Sequence, residues 1–223
     1  MNALRLSTIP SSWITLALLA LVVGTPGSIR AQSPTSTVSS FEIEAADALG
    51  LVREASGLAL APDDSLYVVD RRTERVQRFD AEGIAQAVWG ARGTAPGQFR
   101  EPMAIAVSAD GGVYVADTGN HRVQRFDASG RFLGQWGAEE AGPGALETPE
   151  GVAVGLDGTI YVSDATRDLI MRFTPDGTLL SSFGDSGLEA DRLDRPRQLA
   201  VGPDGDIYVI DFGHDRIQVF RPD

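Results

Sequence analysis

No cysteine occurs in the 223 residues, which excludes disulfide staples, cysteine lipidation and a thiol nucleophile together. Lysine is missing as well, so every basic residue is an arginine. Histidine is limited to His121 and His214. No Ser-His-Asp spacing and no Gly-x-Ser-x-Gly elbow is present, which removes the usual hydrolase signatures. Helical periodicity is absent beyond the first 31 residues, so an α-helical fold finds no support.

Positive charge is also scarce. The whole chain carries a net charge of −12. Its first 31 residues hold Arg5, Arg30 and no acid, so their removal moves the balance from −12 to −14. A surface this acidic repels the phosphate backbone of nucleic acids and anionic membrane surfaces. It favours solubility and cationic partners.

Residues 1–31 read as an export signal. Arg5 precedes the apolar run Trp13–Val23, glycine and proline break that run, and Ser28-Ile29-Arg30-Ala31 offers a cleavage site before Gln32. The apolar run is too short to span a bilayer comfortably. The expectation is a secreted or periplasmic protein, free of the membrane once the signal is cut.

What the chain does have is a repeat. Tyr67-Val68-Val69-Asp70 returns as Tyr114-Val115-Ala116-Asp117, Tyr161-Val162-Ser163-Asp164 and Tyr208-Val209-Ile210-Asp211, always at the same spacing. An aromatic follows each at a fixed distance: Phe79, Phe126, Phe173 and Phe220. A period in the forties built of short β-prone runs marks a stacked or radial β-architecture. Within one repeat, Ile105-Ala106-Val107, Val113–Asp117, Arg122–Phe126 and Phe132–Trp136 are four such runs, parted by turn residues including Asp110-Gly111 and Asp127-Ala128-Ser129-Gly130. Short loops between β-runs imply an antiparallel meander. The fold class expected is therefore all-β: a β-propeller of four four-stranded blades over residues 53–223. The last repeat stops after its third run. The segment 37–42, which falls in register with a fourth run, is expected to close that last blade from within an N-terminal segment, residues 32–52.

The run Tyr114-Val115-Ala116-Asp117-Thr118-Gly119-Asn120-His121-Arg122-Val123-Gln124-Arg125-Phe126, with Pro102 before it and Gly130 and Trp136-Gly137 after it, resembles the NHL repeat. The second and fourth repeats match well. The third departs at Asp168-Leu169-Ile170-Met171, and the first has Ala55 in place of the proline. The resemblance implies a propeller, usually of five or six blades. Four repeats leave three arrangements open: a closed four-bladed ring, an array completed by another copy, or a shortened gene product.

Several residues stand out against this frame. Asp70, Asp117, Asp164 and Asp211 end the second strands, and a ring of carboxylates suggests a metal. Their recurrence in every blade suits a structural role better: each caps its turn and pairs with an arginine five residues on, Asp70 with Arg75, Asp117 with Arg122 and Asp211 with Arg216. Asp164 has Leu169 there, and Arg167 is its expected substitute. Two histidines out of register with each other fall short of a zinc set, and the Asp-Gly pairs read as hairpin turns rather than calcium loops. No cofactor and no metal is expected.

In a propeller of this strand order, the loops joining second to third strands share one face with the crossings between blades. On that face the repeat varies. Ser56, Met103, Glu150 and Arg197 begin the innermost strands, and Asn120, His121, Arg167 and His214 lie in the loops. Variation on a rigid scaffold is what a binding surface needs. The expected function is a non-catalytic binding module for a protein, peptide or glycan, with self-association following if the ring is incomplete. The alternative is a metal-dependent lyase or lactone hydrolase at the axial mouth, with calcium or zinc held by Glu150 and helped by Asp164 or Asp211.

Overall fold

The computed structural model describes residues 52–184 and 192–221. Fifteen strands run through them in meander order. The first blade is β1 (Ala55–Leu60), β2 (Leu66–Asp70), β3 (Arg75–Phe79) and β4 (Ala85–Trp89). The second is β5 (Pro102–Val107), β6 (Val113–Asp117), β7 (Arg122–Phe126) and β8 (Phe132–Trp136). The third is β9 (Pro149–Val154), β10 (Ile160–Asp164), β11 (Leu169–Phe173) and β12 (Leu179–Phe183). The fourth is β13 (Pro196–Val201), β14 (Ile207–Asp211) and β15 (Arg216–Phe220). Every neighbouring pair is antiparallel. The only helical elements among the described residues are short 3₁₀ turns.

The chain is thus an all-β propeller of four blades, against the five or six that the family resemblance implies. The signal segment 1–31, and the strand 37–42 expected to complete the fourth blade, lie outside the described residues.

Sheet faces meet between blades, and the core lies there. Val76, Val69 and Tyr67 of the first blade pack on Ile105, Val113 and Val115 of the second. Val123 and Ala116 do the same with Val152, Ile160 and Val162, and Ile170 with Leu199, Ile207 and Val209. Each blade therefore has an exit flank, turned to the following blade, and an entry flank, turned to the preceding one. A buried aliphatic side chain contributes about 1.5–3 kcal/mol, so each seam is held by several such increments. The inner strands pack in the order β1, β5, β9, β13.

Between the blades, the crossing segments insert one apolar side chain into each seam. Phe99, Leu146 and Leu193 recur in repeat register and are at most 2% exposed. Phe99 joins the first seam, Leu146 the second and Leu193 the third. The residue after each insert donates its backbone N–H to the aspartate of the same blade: Arg100 to Asp117, Glu147 to Asp164 and Asp194 to Asp211. Arg53, after Val52, does so to Asp70.

Candidate binding site at the axial mouth

All four innermost strands carry a β-bulge near their first residues. The pairing of β1 with β2 skips Ser56, that of β5 with β6 skips Met103, and that of β9 with β10 skips Glu150. In the fourth blade the irregularity spans Arg197 and Gln198. A bulge frees a residue from the ladder and re-aims its side chain. The four positions singled out by their sequence variation are thus the bulged positions beside the axis.

They are not equivalent in what they do. Ser56 donates its hydroxyl to the Pro102 carbonyl at 2.7 Å, tying the first blade to the second. Thr118 donates to the Pro149 carbonyl and Ser163 to the Arg197 carbonyl, each at 2.5 Å, which continues the tie from blade to blade. Met103 presents its carbonyl to the Gln198 amide at 3.1 Å, and the same amide reaches the Glu150 carbonyl at 3.3 Å. Gln198 therefore bridges the second and third blades from the fourth.

Glu150 and Arg197 meet across the seam at 3.4 Å. Burial holds the Glu150 carboxyl above its ordinary range, and the Arg197 guanidinium pulls it partly back. That guanidinium also lies over the Phe212 ring, 3.5 Å from its centroid, a cation–π contact. Arg195 adds a second cation 5.3 Å from the same ring. Among the described residues, the terminal amino groups of Arg197 donate no hydrogen bond. The result is a half-exposed guanidinium held in plane by an aromatic ring and a carboxylate.

The loop residues serve the scaffold. Asp117 is fully buried. It accepts the Arg100 N–H at 2.7 Å, the Asn120 amide at 2.9 Å, Arg122 Nε at 2.7 Å and the Gln124 amide at 2.9 Å. Arg122 in turn donates to the Thr94, Ala95 and Gln98 carbonyls of the preceding crossing. Asp211 repeats this hub with the Asp194 N–H, His214, Arg216 and Gln218. Its burial opposes ionisation, yet the bonds from Asp194, Arg216, Gln218 and His214 hold its pKa below the ordinary value. His214 thus stands where Asn120 stands, while His121 shares the left-handed turn position with Glu74, Asp168 and Asp215. His121 hydrogen-bonds the Glu147 carbonyl.

In the first and third blades the aspartates are satisfied by backbone. Asp70 accepts the N–H groups of Arg53, Arg72 and Thr73, and Arg75 is exposed, with no ion pair to Asp70. Asp164 accepts those of Glu147, Thr148 and Arg167, with the Arg167 guanidinium 4.0 Å away. Among the described residues, no three histidine, aspartate or glutamate side chains gather as a metal ion would require.

Sequence patterning singled out neither Phe212 nor Gln198 as a site residue. The signal for Phe212 lies in the repeat: Arg71, Thr118 and Ala165 hold the corresponding place, so an exposed aromatic there is a departure.

The family model described as NHL repeat matches residues 99–126 and 193–220. These are the two blades with the full Asp117-type and Asp211-type hubs. No curated protein matches the chain. Solved structures do. A streptogramin B lyase aligns at 16% identity with a TM-score of 0.57, covering 78% of this chain and 57% of that one. The virginiamycin B lyase from Staphylococcus aureus gives 16% and 0.55 over 74% and 55%. The RRP9 WD40 repeats give 16% and 0.54 over 75% and 51%. At such identity the likeness is one of fold, and this chain spans little more than half the length of those structures.

Proposed function

We propose that this chain, an NHL-repeat β-propeller, is an exported, non-catalytic binding module that takes an extended peptide segment of a partner protein at its axial mouth. The observation behind the reading is the Glu150–Arg197–Phe212 cluster. The Phe212 ring and Glu150 pre-orient the Arg197 guanidinium, while its terminal amino groups remain open to a ligand. A guanidinium so placed suits a carboxylate, which it can grip with two parallel hydrogen bonds. The ring supplies apolar contact beside it, as binding hot spots do. Export rests on Arg5, the apolar run Trp13–Val23 and the cleavage site Ser28-Ile29-Arg30-Ala31 before Gln32.

The test is capture from a library of acidic and neutral peptides by the wild-type chain and by Arg197→Ala and Phe212→Ala. Loss of carboxylate-bearing peptides by at least tenfold in both variants supports the reading. Equal capture by all three proteins overturns it. The competing enzyme reading predicts stoichiometric calcium or zinc in the purified chain, lost together with a hydrolytic or lyase activity in Glu150→Ala.

A further inference from the structure

The seam between blades is built three times inside the chain, and its outgoing half is present a fourth time with nothing on it. Val76, Val123 and Ile170 sit at one repeat position and are each fully buried by the following blade; Ile217, the fourth member, is 55% exposed. Val69, Ala116 and Ser163 are fully buried, whereas Ile210 is only half-buried. Tyr67, Tyr114 and Tyr161 are buried, whereas Tyr208 is only half-buried. Among the described residues, β13 does not pack on β1 as β1 packs on β5.

This uncovered flank is also more apolar than its buried counterparts. Where the fourth blade has Val219, 51% exposed, the others have Arg78, Arg125 and Arg172. Those arginines stack on the tyrosines of their own blades. Arg78 and Arg125 also reach across to the Ala128 and Pro175 carbonyls. Solvent would favour the arginine at the exposed position and the valine at the covered ones; the chain has the reverse. Exposed apolar clusters of this kind mark interaction surfaces.

The flank further carries an unfilled version of the insert's seat. A cleft of about 400 Å³ is lined by Ile210, Asp211, Phe212, Asp215, Arg216 and Ile217. It lies at the position that Phe99, Leu146 and Leu193 occupy in the three inner seams. The chain holds a fourth insert in the same register, Val52, which packs with Leu58, Leu66 and Val68 on the entry flank of the first blade. Leu60, on that same flank, is 38% exposed.

We propose that the exit flank of the fourth blade receives the first blade of a second copy of this chain, with that copy's Val52 seated in the Ile210–Ile217 cleft. The entry flank of the first blade is the periodic counterpart of the three that already cover an exit flank here, so the partner surface is encoded in the repeat. Two copies related by a two-fold axis offer each other both flanks, so the contact closes on itself. The cleft shares Phe212 with the mouth cluster, but Ile217 and Val219, the residues changed in the test, lie outside that cluster.

The experiment is solution mass by light scattering over a wide concentration range, on the 223-residue chain. The expected result is a dimer for wild type and half that mass for Ile217→Asp combined with Val219→Asp. Both positions are exposed in the single chain, so the β-sheet circular dichroism and melting temperature of the monomer should persist. Val52→Asp, on the opposite flank, should also halve the mass. Ile84→Asp, at a position 62% exposed and outside both flanks, should leave the dimer intact. A wild-type chain that is monomeric throughout, or a mass that Ile217→Asp with Val219→Asp leaves unchanged, overturns the proposal. So does a monomer whose Ile217 becomes protease-accessible only after deletion of residues 32–46, since the N-terminal segment would then be the occupant.

Discussion

The Arg197 guanidinium lies 3.5 Å from the centre of the Phe212 ring. The two residues come from an innermost strand and from the loop after β14, and the ring holds the cation at the mouth where Glu150 can reach it. This contact joins scaffold and site, because bulge, loop and seam must all be in place for it to form.

Its first consequence concerns Glu150. Burial raises the carboxyl pKa and Arg197 lowers it, so Arg197→Ala should raise it further. Carbon-detected NMR titration of the side-chain carboxyl reads this directly. An unmoved midpoint would mean that the pair does not form in solution.

Asp211 carries the opposite sign. Its folded pKa is lowered, so its contribution to stability is complete above the unfolded carboxylate value of about 3.9. That contribution is lost as pH falls through the lower folded value. Asp211→Asn should cost about 2–4 kcal/mol near neutral pH, since it removes the charge facing Arg216 and turns one of two acceptor oxygens into an NH2 donor that opposes the donors around it. Urea unfolding of both proteins at several pH values should show the gap narrowing below about pH 4.

The seam inserts should behave as core residues although they lie in crossings. Leu193→Ala removes a fully buried side chain from the third seam and should destabilise by about 2–5 kcal/mol. Leu133→Ala, 42% exposed, should change stability by less than about 0.5 kcal/mol. Comparable losses from the two would remove the special status of the inserts.

Two glycines separate crowding from backbone strain. A Cβ on Gly151 would stand 2.5 Å from the Arg197 carbonyl and 2.7 Å from Ser163 Oγ, so Gly151→Ala must push two blades apart, at about 1–3 kcal/mol. Gly158 has φ of +84° and open space around it. Gly158→Ala should cost only the left-handed conformation, about 1 kcal/mol. Thermal melts of the pair give the comparison, with the Gly151 variant expected to melt lower.

Much of the fold was legible in the repeat. Alternating β-prone runs and Asp-Gly turns recur in step, and strand pairing is a local consequence of that pattern. The five-residue spacing that sets an arginine after each aspartate pairs Asp117 with Arg122 and Asp211 with Arg216. It does not pair Asp70 with Arg75. Arg122 is also gripped by carbonyls of the Thr94–Gln98 crossing, whose counterparts for Arg75 lie outside the described residues. The inserts Phe99, Leu146 and Leu193 were in plain register, yet glycine-rich surroundings make them read as loop.

The amino-acid order on its own determined the blade: where strands start and turn, which face is apolar, and that four such units follow one another. Those are short-range matters of alternation and turn chemistry, set within a few residues. Which bulged residues converge on the axis, which aspartate gathers side chains and which flank stays uncovered were decided only by the assembled propeller. Each depends on groups brought together from separate blades, and a distance of that kind is absent from any local pattern.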